Sequence, residues 1–213
     1  MNDATIRLCW CALGDFDDRF DGFREELPAE ERDRADRFRV EPSRRRFVLA
    51  RTLLRRELAV IVGVEPGALD FGVGDRGKPH LTNPVPGEPL LFNLSHSGEI
   101  VVLAIAGVDV GADVESLRPV PNAEKLAHRF FSPAERMTVM SFDDEARDRA
   151  FLRIWTQKEA YLKATGLGVG MPLRKVEAEP DPEAPPRLLT VGGDAEEAAR
   201  WRLHEVEIPS AVC

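Results

Sequence analysis

The order of predicted elements repeats along the chain, and this repeat constrains the fold more than any single motif does. Hydrophobic periodicity and turn residues predict a strand, then helices, then further strands in each half. The first half has a strand near 5–13, helices near 28–38 and 42–62, a Gly/Pro turn region at 63–90 and a strand at 100–106. The second half begins at residue 108 and has helices near 122–145 and 147–165 and strands near 173–179, 186–191 and 200–207. We therefore predict an α+β fold with two similar halves, residues 1–107 and 108–213, that arose by internal duplication.

Composition narrows the class of protein. A chain of 213 residues with 43% hydrophobic residues can bury one large or two small cores. It contains no apolar run long enough to span a membrane, which takes about eighteen residues, and no signal peptide is expected from its amino terminus. Cys9, Cys11 and Cys213 are too few and too irregularly spaced for a disulfide framework or a zinc site. We therefore expect a cytoplasmic protein without a membrane partner.

Basic charge is concentrated in one part of the chain. Residues 32–56 contain ten arginines and three acidic residues, a net charge of +7 in a chain whose total is −8. A basic patch on an acidic protein favours a specific anionic ligand over general nucleic-acid binding. Arg44, Arg51 and Arg55 recur at helical spacing within it, which predicts a helix with one arginine-rich face. The alternative is that these arginines only keep the surface soluble.

Carboxylates are offered by two separate segments. In a strand over 110–115, Asp113 and Glu115 would share a face, while the apolar residues between them point into the core. About forty residues later, Glu159 and Lys163 are four apart in a predicted helix and so lie on one side of it. Three such oxygen ligands suit Mg²⁺, which completes its coordination with water and phosphate oxygens. The alternative is a solvated strand face and an exposed helical ion pair worth little.

A polar segment precedes the apolar strand at 100–106. Residues 92–98 read Phe-Asn-Leu-Ser-His-Ser-Gly, which predicts a strand followed by a polar turn. Hydroxyls and an imidazole at a place where the backbone can approach a ligand closely would suit an anion. His96 could instead only cap the end of a strand.

Five segments in this order carry a resemblance to a known family, which covers about residue 28 to about residue 206. The chain resembles a 4′-phosphopantetheinyl transferase of the larger, surfactin-synthetase-activating type. The segments are Arg76-Gly77-Lys78-Pro79, Phe92-Asn93-Leu94-Ser95-His96-Ser97, Val110-Gly111-Ala112-Asp113-Val114-Glu115, Arg129-Phe130-Phe131-Ser132-Pro133-Ala134-Glu135, and Trp155 through Lys163 with Gly166. The resemblance implies a pseudo-twofold fold of two similar halves with the active site between them.

The resemblance also implies an activity. A serine hydroxyl of an apo acyl or peptidyl carrier protein would attack the β-phosphate of coenzyme A and release 3′,5′-ADP. Asp113, Glu115 and Glu159 would hold Mg²⁺, with Mn²⁺ as the alternative. Glu159 would also act as the general base, directly or through a water, and Lys163 would neutralise charge on the leaving group. A monomer is expected.

Coenzyme A would be bound mainly by the amino-terminal half. The resemblance assigns this substrate to Arg51, Arg76, Gly77, Lys78, Pro79, Asn93, Ser95, His96, Asp113 and Lys163. Arg34 aligns with a basic residue that serves the 3′-phosphate. Phe47 departs from the pattern, because it stands where the surfactin-type enzyme has a phosphate-binding threonine.

The carrier-binding surface is the least determined part of the sequence. Phe130, Phe131 and Met137 could dock the carrier, and ordinary core packing explains them equally well. Two other functions stay open: a non-catalytic protein that binds coenzyme A, and a metal-dependent pyrophosphohydrolase that uses water as the acceptor. The presence of all three carboxylates and Lys163 argues against the non-catalytic protein.

Overall fold

The computed structural model describes residues 5–74, 77–83, 89–208 and 211–213 of a mixed α and β protein. The chain divides into two compact units, residues 1–112 and 113–213. In the described part of the chain, no helix has both the length and the apolar composition needed to cross a membrane.

The sheet of the first unit has three antiparallel strands in the order β1-β5-β4. These are β1 (Ile6–Ala12), β4 (Leu91–Ser97) and β5 (Ile100–Ala106). All seven residues of β5 are buried, because this strand is central and apolar on both faces. The predicted polar turn is wrong in its extent: β4 pairs with β5 as far as Ser97, so only Gly98 and Glu99 form the turn. The polar residues therefore belong to the strand itself.

Three helices of the first unit surround its core: α1 (Phe20–Glu26), α2 (Ala29–Asp36) and α3 (Glu41–Val62). Val48 and Leu49 of α3 join a cluster with α1, while Leu54 and Leu58 pack with residues of the sheet. The helix ends at Gly63, whose φ of 77° is left-handed and free of strain only for glycine. The predicted helices α2 and α3 are confirmed.

The segment predicted as turns contains a short hairpin that the sequence did not reveal. β2 (Phe71–Val73) pairs with β3 (Pro79–Leu81), and each strand has only three residues. Three residues show too little alternation to predict a strand from the sequence.

The second unit contains four helices in its described residues: α4 (Ala123–Phe130), α5 (Pro133–Met140), α6 (Asp144–Thr165) and α7 (Ala195–Ala199). Two small antiparallel sheets accompany them. One has the order β6-β10-β9, from Glu115–Ser116, Ala211–Val212 and Glu207–Ile208, and the other pairs β7 (Val176–Ala178) with β8 (Leu188–Val191). The predicted strand over 200–207 is wrong, because residues 201–206 have no regular secondary structure.

The single helix predicted over 122–145 is interrupted. Phe131 leaves helical geometry with φ of −108° and ψ of 156°. Ser132 then caps α5: its hydroxyl accepts the Glu135 N–H at 3.3 Å, and the Glu135 carboxylate accepts the Ser132 N–H at 2.7 Å. This reciprocal capping, with Pro133 in the first turn, starts a new helix and fixes where Glu135 lies.

Candidate active site

The segment that carries the first two carboxylates is less regular than predicted. Only Glu115 and Ser116 are paired as a strand, so the predicted strand over 110–115 is wrong for most of its length. Val110, Ala112 and Val114 are buried, as the alternation suggested. Asp113 is buried as well, at 7% exposure.

Helix α6 brings a cation to this buried carboxylate. The Lys163 Nζ donates a hydrogen bond to the Asp113 Oδ1 across fifty residues of sequence. The sequence suggested a pair between Glu159 and Lys163 within the helix, and the structure gives the ion pair of Lys163 to Asp113 instead. Thr165 is the last residue of α6, and Gly166 caps the helix with a left-handed φ of 67°.

Glu159 lies within electrostatic reach of the same groups. Burial raises the pKa of Glu159, and the negative charges of Asp113 and Glu115 raise it further, while Lys163 opposes them. The charges of Asp113, Glu115 and Lys163 therefore all act on Glu159 within the second unit. The assignment of these four residues to one site stays a prediction.

The residue types of this set suit a hard divalent cation. Carboxylate oxygens are the ligands that Mg²⁺ prefers, and a cation would offset the charges of Asp113 and Glu115, which add to burial in raising the pKa of Glu159. In the part of the chain that the structure describes, however, no group of three or more acidic, histidine or cysteine side chains is placed so that it could hold a metal ion. Glu115 also lies 3.5 Å from the Arg118 guanidinium. Metal binding by these residues thus stays a prediction.

Of the predicted coenzyme A residues of the first unit that the structure describes, Arg51 lies on α3 and the others lie on β3, on β4 or just before β3. Ser95 is buried in β4 and His96, next to it, is exposed. Gly77 has a left-handed φ of 83° and donates its N–H to the Gly74 carbonyl at 2.8 Å. Pro79 begins β3 and is exposed. Arg76 lies outside the described residues.

Lys78 and Asn93 both contact the backbone at the end of the first unit. The Lys78 Nζ lies 3.4 Å from the Asp109 Oδ1 and 3.4 Å from the Val110 carbonyl. The buried Asn93 accepts the Ala112 N–H on its Oδ1 at 2.9 Å. Two residues assigned to coenzyme A thus also fix the conformation of residues 109–112.

Arg51 is already paired within the first unit. Its guanidinium binds the Glu31 carboxylate, with the Nε 2.9 Å from Oε1, and lies 4.6 Å from the centre of the Phe71 ring. Arg55 shares Glu31 and also donates to the carbonyls of Pro66 and Leu69. Burial raises the pKa of the Glu31 carboxyl. Hydrogen bonds from Arg55 and Arg51 outweigh this effect and hold the pKa below its ordinary value. A phosphate that binds Arg51 would compete with Glu31.

Phe47, the departure from the family pattern, supports an arginine. The Arg34 guanidinium lies 5.1 Å from the centre of the Phe47 ring, a cation–π contact. The neighbouring Arg46 donates to the Gly98 carbonyl at 3.0 Å, at the turn that follows His96 and Ser97. The chain therefore offers guanidinium groups in the region where the family pattern has a threonine hydroxyl.

The sequence interpretation missed a buried ion pair beside Glu159. The Lys158 Nζ lies 2.5 Å from the Glu135 Oε2, and the two side chains are 0% and 1% exposed. Two signals could have revealed it. Phe151, Ile154 and Leu162 occupy the helix face of Lys158, which predicts burial, and the Ser-Pro-Ala-Glu sequence is a capping signature that places Glu135.

Comparison with known proteins shows the family of this chain. The profile of the 4′-phosphopantetheinyl transferase superfamily matches residues 109–213, and that of a 4′-phosphopantetheinyl transferase N-terminal domain matches residues 16–107. The chain is 41% identical over 188 residues to the 4′-phosphopantetheinyl transferase HetI of a Nostoc species, covering 88% of this chain and 76% of the relative.

Two Bacillus subtilis proteins also match. One 4′-phosphopantetheinyl transferase is 32% identical over 148 residues, 69% of this chain and 63% of its own length. The 4′-phosphopantetheinyl transferase Sfp is 28% identical over 152 residues, 71% of this chain and 65% of its own length. The chain thus spans between 63% and 76% of these relatives. With both halves matched, the chain belongs to the 4′-phosphopantetheinyl transferase superfamily, as an enzyme of this type.

Proposed function

We propose that this protein transfers the 4′-phosphopantetheine group of coenzyme A to a serine of an apo acyl or peptidyl carrier protein and releases 3′,5′-ADP. The observation that supports this most is the grouping of Glu159, Asp113 and Lys163 in one unit. There the buried Asp113 binds Lys163 and the pKa of Glu159 is raised. The names of the relatives give the transferred group.

In the proposed mechanism, Glu159 accepts the proton of the serine hydroxyl as the serine oxygen bonds to the β-phosphorus. The bond between this phosphorus and the leaving 3′,5′-ADP oxygen breaks in the same displacement. A raised pKa makes Glu159 a stronger base than an exposed glutamate. Lys163, held by Asp113, offers an ammonium charge to the leaving phosphate. A bound Mg²⁺ or Mn²⁺, held by Asp113, Glu115 and Glu159, would neutralise the pyrophosphate charge.

We also propose that the first unit binds the nucleotide of coenzyme A. The exposed His96, the turn at Gly77 and the guanidinium groups of Arg34 and Arg51 support this assignment. The remaining assigned residues are Arg76, Lys78, Pro79, Asn93 and Ser95, and Asp113 and Lys163 of the second unit. Contacts of these side chains with the substrate remain predictions.

The duplication and the compartment are part of the proposal. Each unit contains an antiparallel three-stranded sheet and a 22-residue helix that ends at a left-handed glycine, which supports a duplicated origin. An active site between the halves and a monomeric state remain predictions. The three cysteines carry free thiols, which suits the reducing cytoplasm.

Intact mass of an apo carrier protein tests the activity. With coenzyme A and Mg²⁺ we expect the carrier to gain one phosphopantetheine group, and a chelator in excess should prevent the gain because the carboxylate site then lacks its cation. Phosphopantetheine released into solution without any carrier would indicate the hydrolase. Binding of coenzyme A without transfer to a panel of carriers would indicate the non-catalytic protein. Transfer that is equally fast in chelator would contradict the metal site.

Of the three residues considered for carrier binding, we propose Met137, because it is the most exposed. Phe131 is 5% exposed, with its ring centre 4.7 Å from that of Phe151, so it belongs to the core. Phe130 packs edge-on against Trp155 at 5.4 Å. Met137 of α5 is 67% exposed and lies on the same helix as Arg136. Apolar and basic groups together suit an acidic helical carrier.

Replacing Met137 by Glu should therefore raise the carrier KM by about ten-fold, which corresponds to about 1.4 kcal/mol, and leave the coenzyme A KM unchanged. Initial rates at varied carrier concentration measure this effect. Val60→Glu is the matched control, since Val60 is an apolar residue of α3 that is 75% exposed. An unchanged carrier KM in Met137→Glu, or an equal rise in both variants, would contradict docking at Met137.

A further inference from the structure

We propose that the buried Glu135–Lys158 pair is a positioning device for Glu159, because it fixes the rotation and axial position of α6. The proposal rests on the proposed catalytic role of Glu159. It concerns a lysine and a glutamate that take no direct part in the chemistry.

The contacts of the pair join four segments of the second unit. Lys158 donates to Glu135 at 2.5 Å and to the Phe130 carbonyl at 3.2 Å. Glu135 accepts the N–H of Ser132 at 2.7 Å on one carboxylate oxygen and the N–H of Ala178 at 2.8 Å on the other. The end of α4, the start of α5, strand β7 and the middle of α6 are therefore held by one pair of side chains.

Geometry makes Lys158 an effective anchor for its neighbour. Successive residues advance about 100° around a helix and about 1.5 Å along it. Once the Lys158 side chain is fixed in the core, the direction in which Glu159 leaves the helix is fixed too. Lys163 follows Glu159 by about one turn, so the same anchor sets the side of α6 that meets Asp113.

The chemistry of the pair favours positioning over simple stabilisation. Two buried charges lose their hydration, and well-packed apolar residues of similar size are often at least as stabilising. Apolar neighbours are at hand, since the Lys158 Nζ lies 4.9 Å from the centre of the Phe131 ring. The ion pair also fixes the orientation of its two side chains, because each of its hydrogen bonds requires a defined distance and angle. A helix anchored only by apolar contacts could rotate or slide by a fraction of a residue.

Small displacements matter for this reaction. A shift of about 1 Å in a catalytic group can reduce the rate by about a hundred-fold. We therefore expect Lys158→Met to lower kcat between about ten-fold and a hundred-fold, while the coenzyme A KM changes by less than about two-fold. Glu135→Gln should lower kcat by a smaller factor, because its carboxamide oxygen can still accept one hydrogen bond.

Arg153→Met supplies the matched control. Arg153 is a second buried cation of α6, 7% exposed, and its guanidinium donates to Glu205 at 2.8 Å and to the carbonyls of Asp181 and Ala184. It lies about 140° around the helix from Lys158, so its loss destabilises α6 without removing the anchor beside Glu159. We expect Arg153→Met to lower the melting temperature as Lys158→Met does, but to lower kcat by less than about three-fold.

Four variants test the proposal: Lys158→Met, Glu135→Gln, Arg153→Met and Glu159→Gln. Their melting temperatures are measured first, and steady-state kinetics are then run well below all unfolding midpoints. A selective loss of kcat in the first two variants supports positioning. Unchanged kcat in both, or an equal loss in Arg153→Met, overturns it. If Lys158→Met does not fold, comparing kcat of Glu135→Gln with kcat of Arg153→Met gives the same test.

Glu159→Gln separates failure of the positioning role from failure of the proposed function. An active Glu159→Gln would overturn the proposed role of Glu159 as well. An inactive Glu159→Gln beside a fully active Lys158→Met would overturn positioning alone.

Discussion

Replacing Glu159 by Gln should lower the rate of phosphopantetheine transfer by at least about a thousand-fold. The carboxamide cannot accept the serine proton as a base, and it is a poorer ligand for a divalent cation than a carboxylate. The side chain keeps its shape, so α6 and its contacts should remain. Transfer to an apo carrier, followed by intact mass over a time course, measures the loss.

The same substitution should stabilise the protein when Mg²⁺ is absent. Burial, Asp113 and Glu115 raise the pKa of Glu159, so the folded state binds this proton more tightly than the unfolded state does. Ionised Glu159 therefore costs stability at neutral pH, and this cost disappears as the pH falls through the raised pKa. We expect the melting temperature of Glu159→Gln in chelator at neutral pH to exceed that of the native protein.

Glu145→Gln is the control for both measurements, because Glu145 lies exposed in the first turn of the same helix. It should leave transfer unchanged and should not raise the melting temperature, because it removes a negative charge that favours the first turn of the helix. Rapid transfer by Glu159→Gln would remove Glu159 from the proposed mechanism. A lower melting temperature for Glu159→Gln in chelator would show that the three carboxylates do not repel one another at neutral pH.

The second large effect concerns stability. Lys158→Met should lower the free energy of unfolding by about 3–5 kcal/mol, because it leaves the Glu135 carboxylate charged and buried without its cation. Glu135 is 1% exposed, so water cannot replace the lost partner without opening the core. For a chain of this length the midpoint of thermal unfolding should fall by roughly 10 °C. Denaturant titration at neutral pH gives the free energy directly.

A double variant separates the charge from the packing. Combining Lys158→Met with Glu135→Gln removes the buried charge while the carboxamide oxygen keeps one hydrogen bond with Ser132 or Ala178. We expect the double variant to be more stable than Lys158→Met by at least about 1 kcal/mol. If the second substitution lowers stability further, the cost of Lys158→Met comes from packing, and the buried charge is not its cause.

The local elements with long patterns were predictable from the sequence. Helices α3 and α6 follow from periodicity over 22 residues each, which averages out local exceptions, and strand β5 follows from its continuous apolar run. Short elements were not predictable: β2, β3 and α7 have three to five residues each, too few to show a period. The break at Phe131 had a sequence signature in the capping residues Ser132 and Glu135, but the apolar pattern on both sides favoured one continuous helix.

For the site, the sequence by itself determined which residue types are available and how they are spaced. Alternation and helical spacing selected Asp113, Glu115, Glu159 and Lys163, because one-dimensional periodicity reports which residues share a face. Only the tertiary structure decided the partners. Lys163 binds Asp113 instead of Glu159, Lys158 binds Glu135, and Arg51 binds Glu31. These contacts join residues 20 to 50 positions apart, and such pairing depends on how helices and strands pack, which the local spacing of residues does not encode.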